Sequence, residues 1–137
     1  MKKIIFTLLA AVMLFSCDTV SKEEKEKNEI RSLLTTTFEV TSKEIQGMVI
    51  DDITVCDSCV FKNDRIYYYY TINEEYLPIS QIEAESSTRK DMIKSTLEGN
   101  SEMVPLIDML KKLGNGGFNY IYKGNATGAT HTITIDY

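Results

Sequence analysis

Two cysteines, separated by two residues, are the first candidates for chemistry in this chain of 137 residues. Cys56 and Cys59 enclose Asp57 and Ser58. Outside the cytoplasm, cysteines at this spacing usually oxidise to each other, and closing so short a loop stabilises a fold by roughly 2 kcal/mol. Thioredoxin-like exchange would need a thiol at a helix N-terminus, whereas residues typical of β-strands surround this pair. We therefore predict a structural disulfide at the end of a hairpin, with redox exchange as the alternative.

Other catalytic or metal-binding arrangements have little support in the sequence. His131 is the only histidine, so it and two cysteines cannot complete a tetrahedral metal site, and any Ser-His-Asp arrangement would have to include it. It alternates in phase with Ile133 and Ile135, which predicts a packed side chain on the core face of a strand. The acidic residues are not paired for glycosidase chemistry. We expect no metal, no cofactor and no enzymatic activity.

Tyrosines on two predicted strands are the most suggestive binding feature. Four of them are consecutive, from Tyr67 to Tyr70, and a second ladder follows at Phe118, Tyr120 and Tyr122. Because side chains alternate along a strand, Tyr67 and Tyr69 share the face opposite that of their neighbours. Exposed tyrosines stack on sugars or anchor protein partners, and they also pair across strands to stabilise an open sheet face. The candidate binding surface is Tyr67, Tyr69, Tyr120 and Tyr122.

The first seventeen residues have the layout of a secretory signal peptide. Lys2 and Lys3 precede an apolar stretch from Ile4 to Phe15, which is too short for the roughly 20 residues of a membrane-spanning helix. The stretch ends in Leu14-Phe15-Ser16-Cys17, which resembles the lipobox of bacterial lipoproteins. That resemblance implies cleavage before Cys17, acylation of this residue, and a mature protein anchored to a membrane of the bacterial cell envelope. We expect this membrane to be the outer membrane, with the domain at its periplasmic face or at the cell surface. A secretory peptide without a lipid is the alternative.

The charge of the mature chain limits its partners. Removal of Lys2 and Lys3 leaves 13 basic and 20 acidic residues, a net charge of −7. A negative domain without a basic stripe repels phosphate backbones and anionic bilayers, so we expect no nucleic acid and a membrane contact through the lipid alone. Asp18 to Glu29 is highly charged, which predicts a solvated tether or a frayed helix start. The predicted organisation is a signal peptide (1–16), a lipidated Cys and tether (17–29), and a single domain (30–137).

Hydrophobic periodicity predicts the elements that position the candidate residues. Apolar residues at helical spacing predict a first helix that begins near Ser21 or Lys27 and ends near Phe38 to Ser42. The β-forming runs at 48–50 and 53–55 and the strand at 65–72 predict a hairpin. A capping box is predicted from the spacing of Ser80-Gln81-Ile82-Glu83. It would begin a helix that runs to Leu97, and the residues expected to be buried in this helix are Ile82, Met92, Ile93 and Leu97. Ser101 is expected to cap a third helix, ended by glycines from Gly114, and 118–123 and 129–137 form a second hairpin.

The order α-β-β-α-α-β-β predicts an α+β two-layer sandwich. Its sheet would have four antiparallel strands from two hairpins, with the helices on one face. Pro105-Leu106-Ile107-Asp108, the tyrosine strands and Thr132-Ile133-Thr134-Ile135 give the segment 48–136 a pattern similar to small bacterial secreted α+β domains. That resemblance implies a fold and no activity. The expected function is non-enzymatic binding of an envelope protein or glycan; the alternatives are a thiol oxidoreductase using Cys56 and Cys59, and a structural accessory of an envelope complex.

Overall fold

The computed structural model describes residues 21–137, which form four α-helices and a five-stranded sheet. The helices are α1 (Lys22–Ile45), α2 (Ile79–Ala84), α3 (Ser86–Gly99) and α4 (Val104–Leu113). The strands are β1 (Met48–Val49), β2 (Thr54–Lys62), β3 (Arg65–Ile72), β4 (Gly117–Gly124) and β5 (Thr130–Asp136). The α+β class predicted from the sequence is confirmed.

The sheet has the order β1-β2-β3-β4-β5 and is mixed, so the predicted sheet of four antiparallel strands is wrong in two respects. β1 is an additional edge strand, and β3 pairs with β4 in parallel, with Ile66 beside Phe118 and Ile72 beside Gly124. The two hairpins, β2–β3 and β4–β5, are antiparallel as expected. The helical segment between β3 and β4 makes a crossover that returns the chain to the end where β3 began, and this produces the parallel pairing.

A single hydrophobic core lies between the helices and one face of the sheet. It includes Leu34 of α1, Ile82 of α2 and Leu110 of α4, packed against Ile66, Phe118 and Ile135 of the sheet. All its fully buried members fall between Ile30 and Ile135. The placement of the helices on one face, which makes a two-layer sandwich, therefore agrees with the expectation, and a chain from residue 18 onward contains every core residue found within residues 21–137.

The charged segment before Ile30 belongs partly to α1. Ser21 caps this helix by accepting a hydrogen bond from the Glu24 N–H (3.2 Å), and acidic residues occupy its first turn, where they favour the helix dipole. Glu26 accepts a hydrogen bond from Lys112 of α4 at 2.6 Å, which lowers the pKa of Glu26. Residues 22–29, which the predicted organisation places in the tether, thus form the first two turns of a helix, and this helix begins beside Ser21, one of its two predicted starting points.

Three features of the helix ends differ from the predicted ones because local signals were misread. α2 begins at Ile79 after Pro78 without a side-chain cap, so the capping box at Ser80 does not form. The predicted single helix is broken at Glu85 into α2 and α3, and Met92 is 64% exposed rather than buried. Asn100, and not Ser101, accepts a hydrogen bond from the backbone before α4.

Candidate functional site

The tyrosines of β3 point alternately to the two faces of the sheet. Tyr68 and Tyr70 lie on the same face as the buried Ile66 and Ile72, under the helices, and Tyr67 and Tyr69 lie on the open face. The parallel register sets Tyr120 beside Tyr68 and Tyr122 beside Tyr70. The four tyrosines of the candidate surface are therefore not brought together: Tyr67 and Tyr69 are on one face, and Tyr120 and Tyr122 are on the other.

Four tyrosines on the helical face form a continuous stacked row, which we call the tyrosine row: Tyr68, Tyr70, Tyr120 and Tyr122. The ring centroids of Tyr68 and Tyr120 are 5.4 Å apart with planes inclined by 9°, and those of Tyr70 and Tyr122 are 5.5 Å apart at 19°. The Tyr70 and Tyr120 rings connect the two pairs at 6.3 Å. Because the rings lie side by side and project from the sheet, their faces cover one another and their hydroxyl ends point outward.

The helical layer covers the ends of β3 and β4 more completely than their middle. Ile66, Ile72 and Phe118 are at most 1% exposed, whereas every member of the tyrosine row is only partly buried. Among the described elements, α1 packs on β2, α3 packs on β5, and α2 and α4 contact β4. The helices therefore cover the middle of this sheet face less completely than its ends, and we call the partly covered area over the tyrosine row the opening.

The rim of the opening on the α3 side has a measurable depression. It encloses about 450 Å³ next to Tyr122 and is lined from α3 by Thr88, Arg89 and Ile93. Arg89 is held by Glu85, whose carboxylate accepts two hydrogen bonds from it at 2.7 and 3.0 Å. Glu85 neutralises the charge of Arg89 at this rim, so the depression offers a ligand mainly apolar and hydroxyl groups.

The hydroxyls of the tyrosine row remain protonated. Burial raises the pKa of Tyr68, Tyr70, Tyr120 and Tyr122, and their mutual proximity raises the pKa of Tyr70 and Tyr120 further. Burial disfavours a phenolate because the low-dielectric surroundings cannot solvate its charge. The row can therefore donate hydrogen bonds but cannot act as a set of general bases near neutral pH.

The cysteine pair lies inside β2 and not at the end of a hairpin. On a regular strand, residues three apart point to opposite faces, but a β-bulge at Asp57 interrupts the pairing of β2 with β3. As a result Cys56 lies opposite Tyr70 and Cys59 opposite Tyr68, both facing the helices and both only 2% exposed. The bulge is the feature that brings the two thiols to one face.

The electrostatic environment of the thiols does not favour exchange chemistry. Both are free cysteines in the structure. Burial raises the pKa of the Cys59 thiol to about 12, helped by the proximity of Cys56, and burial also raises the pKa of Cys56. Exchange requires an accessible thiolate with a lowered pKa, which is the opposite environment. The disulfide between Cys56 and Cys59 stays a prediction.

Tyr67 and Tyr69 lie with Lys62 on the open face. The Lys62 Nζ is 4.6 Å from the centre of the Tyr67 ring and donates a hydrogen bond to the Tyr69 hydroxyl at 3.2 Å. Such a cation–π contact contributes about 0.5–1 kcal/mol at an exposed site. These tyrosines are thus engaged with a neighbouring strand, as cross-strand pairing predicts, and remain partly accessible.

His131 occupies the predicted face of β5, where it pairs with Tyr122 of β4. One of its ring nitrogens, Nε2, is 2.8 Å from the Ser86 Oγ at the start of α3. Within residues 21–137 no carboxylate hydrogen-bonds to His131, so this serine–histidine pair lacks the acidic group that completes a triad. The pair positions α3 against β5.

The described residues contain neither a metal cluster nor a membrane-spanning helix. No group of three or more His, Cys, Asp or Glu side chains in residues 21–137 could hold a metal ion. None of the helices in this part of the chain is long and apolar enough to cross a membrane. Cys17, the predicted site of lipidation, lies outside the described residues.

Comparison with known proteins identifies a similar fold and gives no information on activity. No family model matches the chain, and no curated protein matches it. The fold is similar to the crystal structure of a "putative secreted protein (PA3611)" from Pseudomonas aeruginosa, with a TM-score of 0.58 and 11% sequence identity, over 86% of this chain and 96% of that one. At this identity the likeness establishes a shared fold alone.

Proposed function

We propose that this protein is an extracytoplasmic bacterial lipoprotein, anchored in the cell envelope by lipid on Cys17, whose domain binds a ligand without catalysis. The lipobox-like Leu14-Phe15-Ser16-Cys17 supports the anchor, and the location that we propose for it is the outer membrane. The fold similarity to a protein named as secreted supports a location outside the cytoplasm. Only the four residues 18–21 separate Cys17 from the start of α1 at Lys22, which would keep the domain close to the membrane.

The partly buried tyrosine row is the observation that carries the binding proposal. The centre of a helix-covered sheet face is normally the most buried part of a two-layer domain, yet here it consists of partly buried phenols instead of fully buried aliphatic residues. A concave, mainly apolar surface with a few convergent polar groups is typical of ligand sites. The ligand that suits this surface is uncharged, elongated and amphipathic, with acceptor groups for the phenol hydroxyls.

The orientation of the rings restricts the ligand class further. A sugar that stacks on tyrosine needs a free ring face, whereas the faces of Tyr68, Tyr70 and Tyr120 are covered by neighbouring rings. A glycan would have to bind by hydrogen bonds to hydroxyls alone. An apolar segment of a lipid or of an envelope protein can lie along the row and use both its apolar edges and its hydroxyls.

A fluorescence titration that compares variants on the two faces of the sheet tests this proposal. The chain from residue 18 is titrated with N-phenyl-1-naphthylamine, an uncharged probe that fluoresces in apolar surroundings. We expect Thr88→Trp, which fills the depression beside Tyr122, to weaken probe binding at least tenfold. Ser95→Trp, an exposed change on the same helix, is the matched control and should leave binding unchanged.

A double variant on the open face distinguishes the two surfaces. Tyr67→Ala/Tyr69→Ala removes the aromatic rings from the open face and should leave probe binding intact. Loss of binding in this variant, together with full binding by Thr88→Trp, would place the site on the open face and contradict the proposal. Displacement of the probe by envelope lipid, but not by soluble glycan fragments, is the expected result for the ligand class.

A further inference from the structure

The open face of the sheet carries apolar side chains near its centre. The helices and the core lie on the other face. The register of the strands sets Val60 beside Tyr67, and Tyr69 beside Ile121, all four on the open face. Val60 is 37% exposed, and the other three are only partly buried. Exposed apolar groups that cluster in this way are typical of interaction sites.

One end of the open face carries two cations and one carboxylate. We call it the turn end, because Asn63 and Asp64 lie there between β2 and β3. Lys62 and Arg65 are paired across these strands, and the Arg65 guanidinium forms an ion pair with Asp136 of β5 at 2.9 Å. The side chain of Asp136 remains 72% exposed, so its carboxylate can accept a second cation.

The opposite end of the face carries one cation and one carboxylate. Lys123 of β4 is paired with Thr71 of β3, and the Thr71 hydroxyl donates a hydrogen bond to the Asp57 carboxylate at 2.7 Å. Within residues 21–137, neither Lys62 nor Lys123 forms an ion pair. The described strands thus contribute three cations and two carboxylates to this face, a sum of +1, although the mature chain carries −7.

We propose that the open face binds the open face of a second copy of this chain, around a two-fold axis that runs along the strands between β3 and β4. This axis sets β3 of one copy on β4 of the other and β2 on β5, with each contact made twice. Tyr69 then faces the partner's Ile121, and Lys62 faces the partner's Asp136. Sheets that pack face to face keep their strands within about 30° of each other, which this arrangement allows.

Self-complementary charge selects a second copy as the occupant. At the turn end, each Lys62 meets a carboxylate that is still exposed. At the opposite end, Lys123 lies over the partner's Thr71, next to the partner's Asp57. Both lysines that have no acidic partner in one chain therefore meet an acid in the pair. The net charge of −7 on each chain opposes association, but charges separated by more than about 8 Å are screened at physiological ionic strength.

The course of α1 shows where the chain enters the domain. Arg31 forms an ion pair with Asp64 at the turn end (2.8 Å), and Ser42 lines a groove together with Cys59, farther from that end. The helix therefore runs away from the turn end as the chain proceeds. Its first residue, Lys22, precedes Arg31 by nine positions and projects about 14 Å beyond it.

The lipid anchor of the proposed function selects the direction of the axis. With the axis along the strands, both copies present Cys17 beyond the same turn end, so both lipids reach one membrane. An axis across the strands would set the two anchors at opposite ends of the pair. The choice of axis therefore rests on the proposed function, whereas the association of the two faces does not.

The size of the face suits a weak dimer. The strands β2 to β5 cover an area about 19 Å wide and about 23 Å long. Two such faces bury roughly 900 Å² before the relief of the side chains is added, which is at the lower limit of specific interfaces. Anchoring in one membrane raises the effective concentration of the chains, so we expect association to be stronger there than in solution.

Sedimentation velocity of the chain from residue 18 measures the association without lipid. We expect a dimer with a dissociation constant in the micromolar range. Ile121→Lys places a charge at the centre of the open face and should raise this constant at least tenfold; Val60→Lys, at an exposed position of the same face, serves if Ile121→Lys does not fold. Met92→Lys, at a 64% exposed position on α3, is the matched control and should leave the constant unchanged.

Charge exchange between two variants tests the orientation of the copies. Lys62→Glu sets carboxylates of the two copies against each other, and Asp136→Lys does the same with ammonium groups, so each variant alone should associate at least tenfold more weakly. In an equimolar mixture, the introduced carboxylate of one chain faces the introduced ammonium of the other, and the two remaining wild-type groups also face each other. We expect the mixture to associate nearly as strongly as the wild type.

Several results would overturn the proposal. These are a wild type that stays monomeric at millimolar concentration, equal weakening by Met92→Lys, and a mixture that associates no better than its components. A monomer whose Tyr69 and Ile121 amide signals shift with oligogalacturonate in nuclear magnetic resonance spectra would identify an anionic glycan as the occupant instead. Because this chain has no lipid, a dimer that forms although palmitate labelling of Cys17 fails would support the association and contradict only the anchor.

Discussion

Alkylation of Cys59 is the measurement that most directly tests the electrostatic description of the cysteine pair. The chain from residue 18 is first reduced, so that both thiols are available, and then treated with iodoacetamide at pH 8. The same chain in urea is the reference. Only the thiolate reacts, so the rate reports the fraction of each thiol that is ionised.

The expected difference follows from the pKa of Cys59. With the ordinary thiol pKa of 9.0, about one thiol in ten is ionised at pH 8; with the pKa of Cys59 raised to about 12, about one in ten thousand is ionised. Ionisation alone therefore slows alkylation of the folded protein about a thousandfold. The 2% exposure of the side chain slows it further. Mass spectrometry of peptic fragments separates Cys59 from Cys56.

The raised pKa of Cys59 should also make the folded protein less stable as the pH rises above 9. The folded protein favours the neutral thiol, so this contribution is complete below pH 9, where the unfolded thiol is also neutral. It is lost as the pH rises from about 9 to about 12, because the unfolded chain ionises and the folded chain does not. The tyrosine row acts in the same direction, since its pKa values are also raised.

Two results would refute this reasoning. Alkylation of folded Cys59 within tenfold of the rate in urea, while circular dichroism shows native structure, would mean that the thiol is accessible and ionised, and would favour the oxidoreductase alternative. A free energy of unfolding that rises between pH 9 and 12 would contradict the direction of the shift. Before reduction, the predicted disulfide should leave neither cysteine available for alkylation.

Three further predictions concern the anchor, a turn and a close contact. Cys17→Ser should abolish incorporation of labelled palmitate and release the protein from membranes; retained labelling would exclude Cys17 as the acylated residue. Glu74→Gln should remove the acid sensitivity of the turn after β4. The Glu74 carboxylate accepts hydrogen bonds from the Ala126 and Thr127 N–H groups (2.9 and 2.7 Å), which lowers the pKa of Glu74. The wild type therefore loses the stability that these bonds give as the pH falls through this lowered pKa, whereas the variant does not. Urea unfolding at pH 7 and pH 3 measures the difference, and an equal acid loss in both proteins would contradict it. Gly116→Ala should destabilise by about 2–3 kcal/mol, because a Cβ would overlap the backbone carbonyl of Leu110; a change under 0.5 kcal/mol would show that the backbone relaxes around it.

Local patterns predicted most of the elements and part of the candidate site. The stripe of Ile30, Leu34 and Phe38 in α1 is buried as its spacing predicts, and Gly114 ends α4 with φ of 85°. The alternation of β3 assigned Tyr67 and Tyr69 to the open face correctly. The β-forming runs at 48–50 and 53–55 were counted as one strand, whereas the structure divides them into β1 and β2. The chain reverses between them, where the Asp51 carboxylate accepts hydrogen bonds from the Ile53 and Thr54 N–H groups.

The pairing of β3 with β4 could not be derived from local sequence. The two hairpins are separated by 44 residues, and either orientation satisfies the same alternation of inward and outward residues. Arg65 contributes to the parallel arrangement: its guanidinium bonds to the Asn119 side chain at 3.0 Å and to the Ile135 carbonyl at 3.1 Å, and it pairs with Asp136 at 2.9 Å. These partners are 54 or more residues away and carry no local signal.

The amino-acid sequence alone determined properties that depend on residues close together in the chain. These are the lipobox-like ending at Cys17, the helix periodicity, the strand alternation and the negative charge. Only the tertiary structure decided which tyrosines meet, because the parallel register sets Tyr120 beside Tyr68. It also decided that Cys56 and Cys59 share a face, through a bulge that depends on the pairing with β3. Contacts between strands depend on register and crossover, and the free energies that select them are distributed over the whole core.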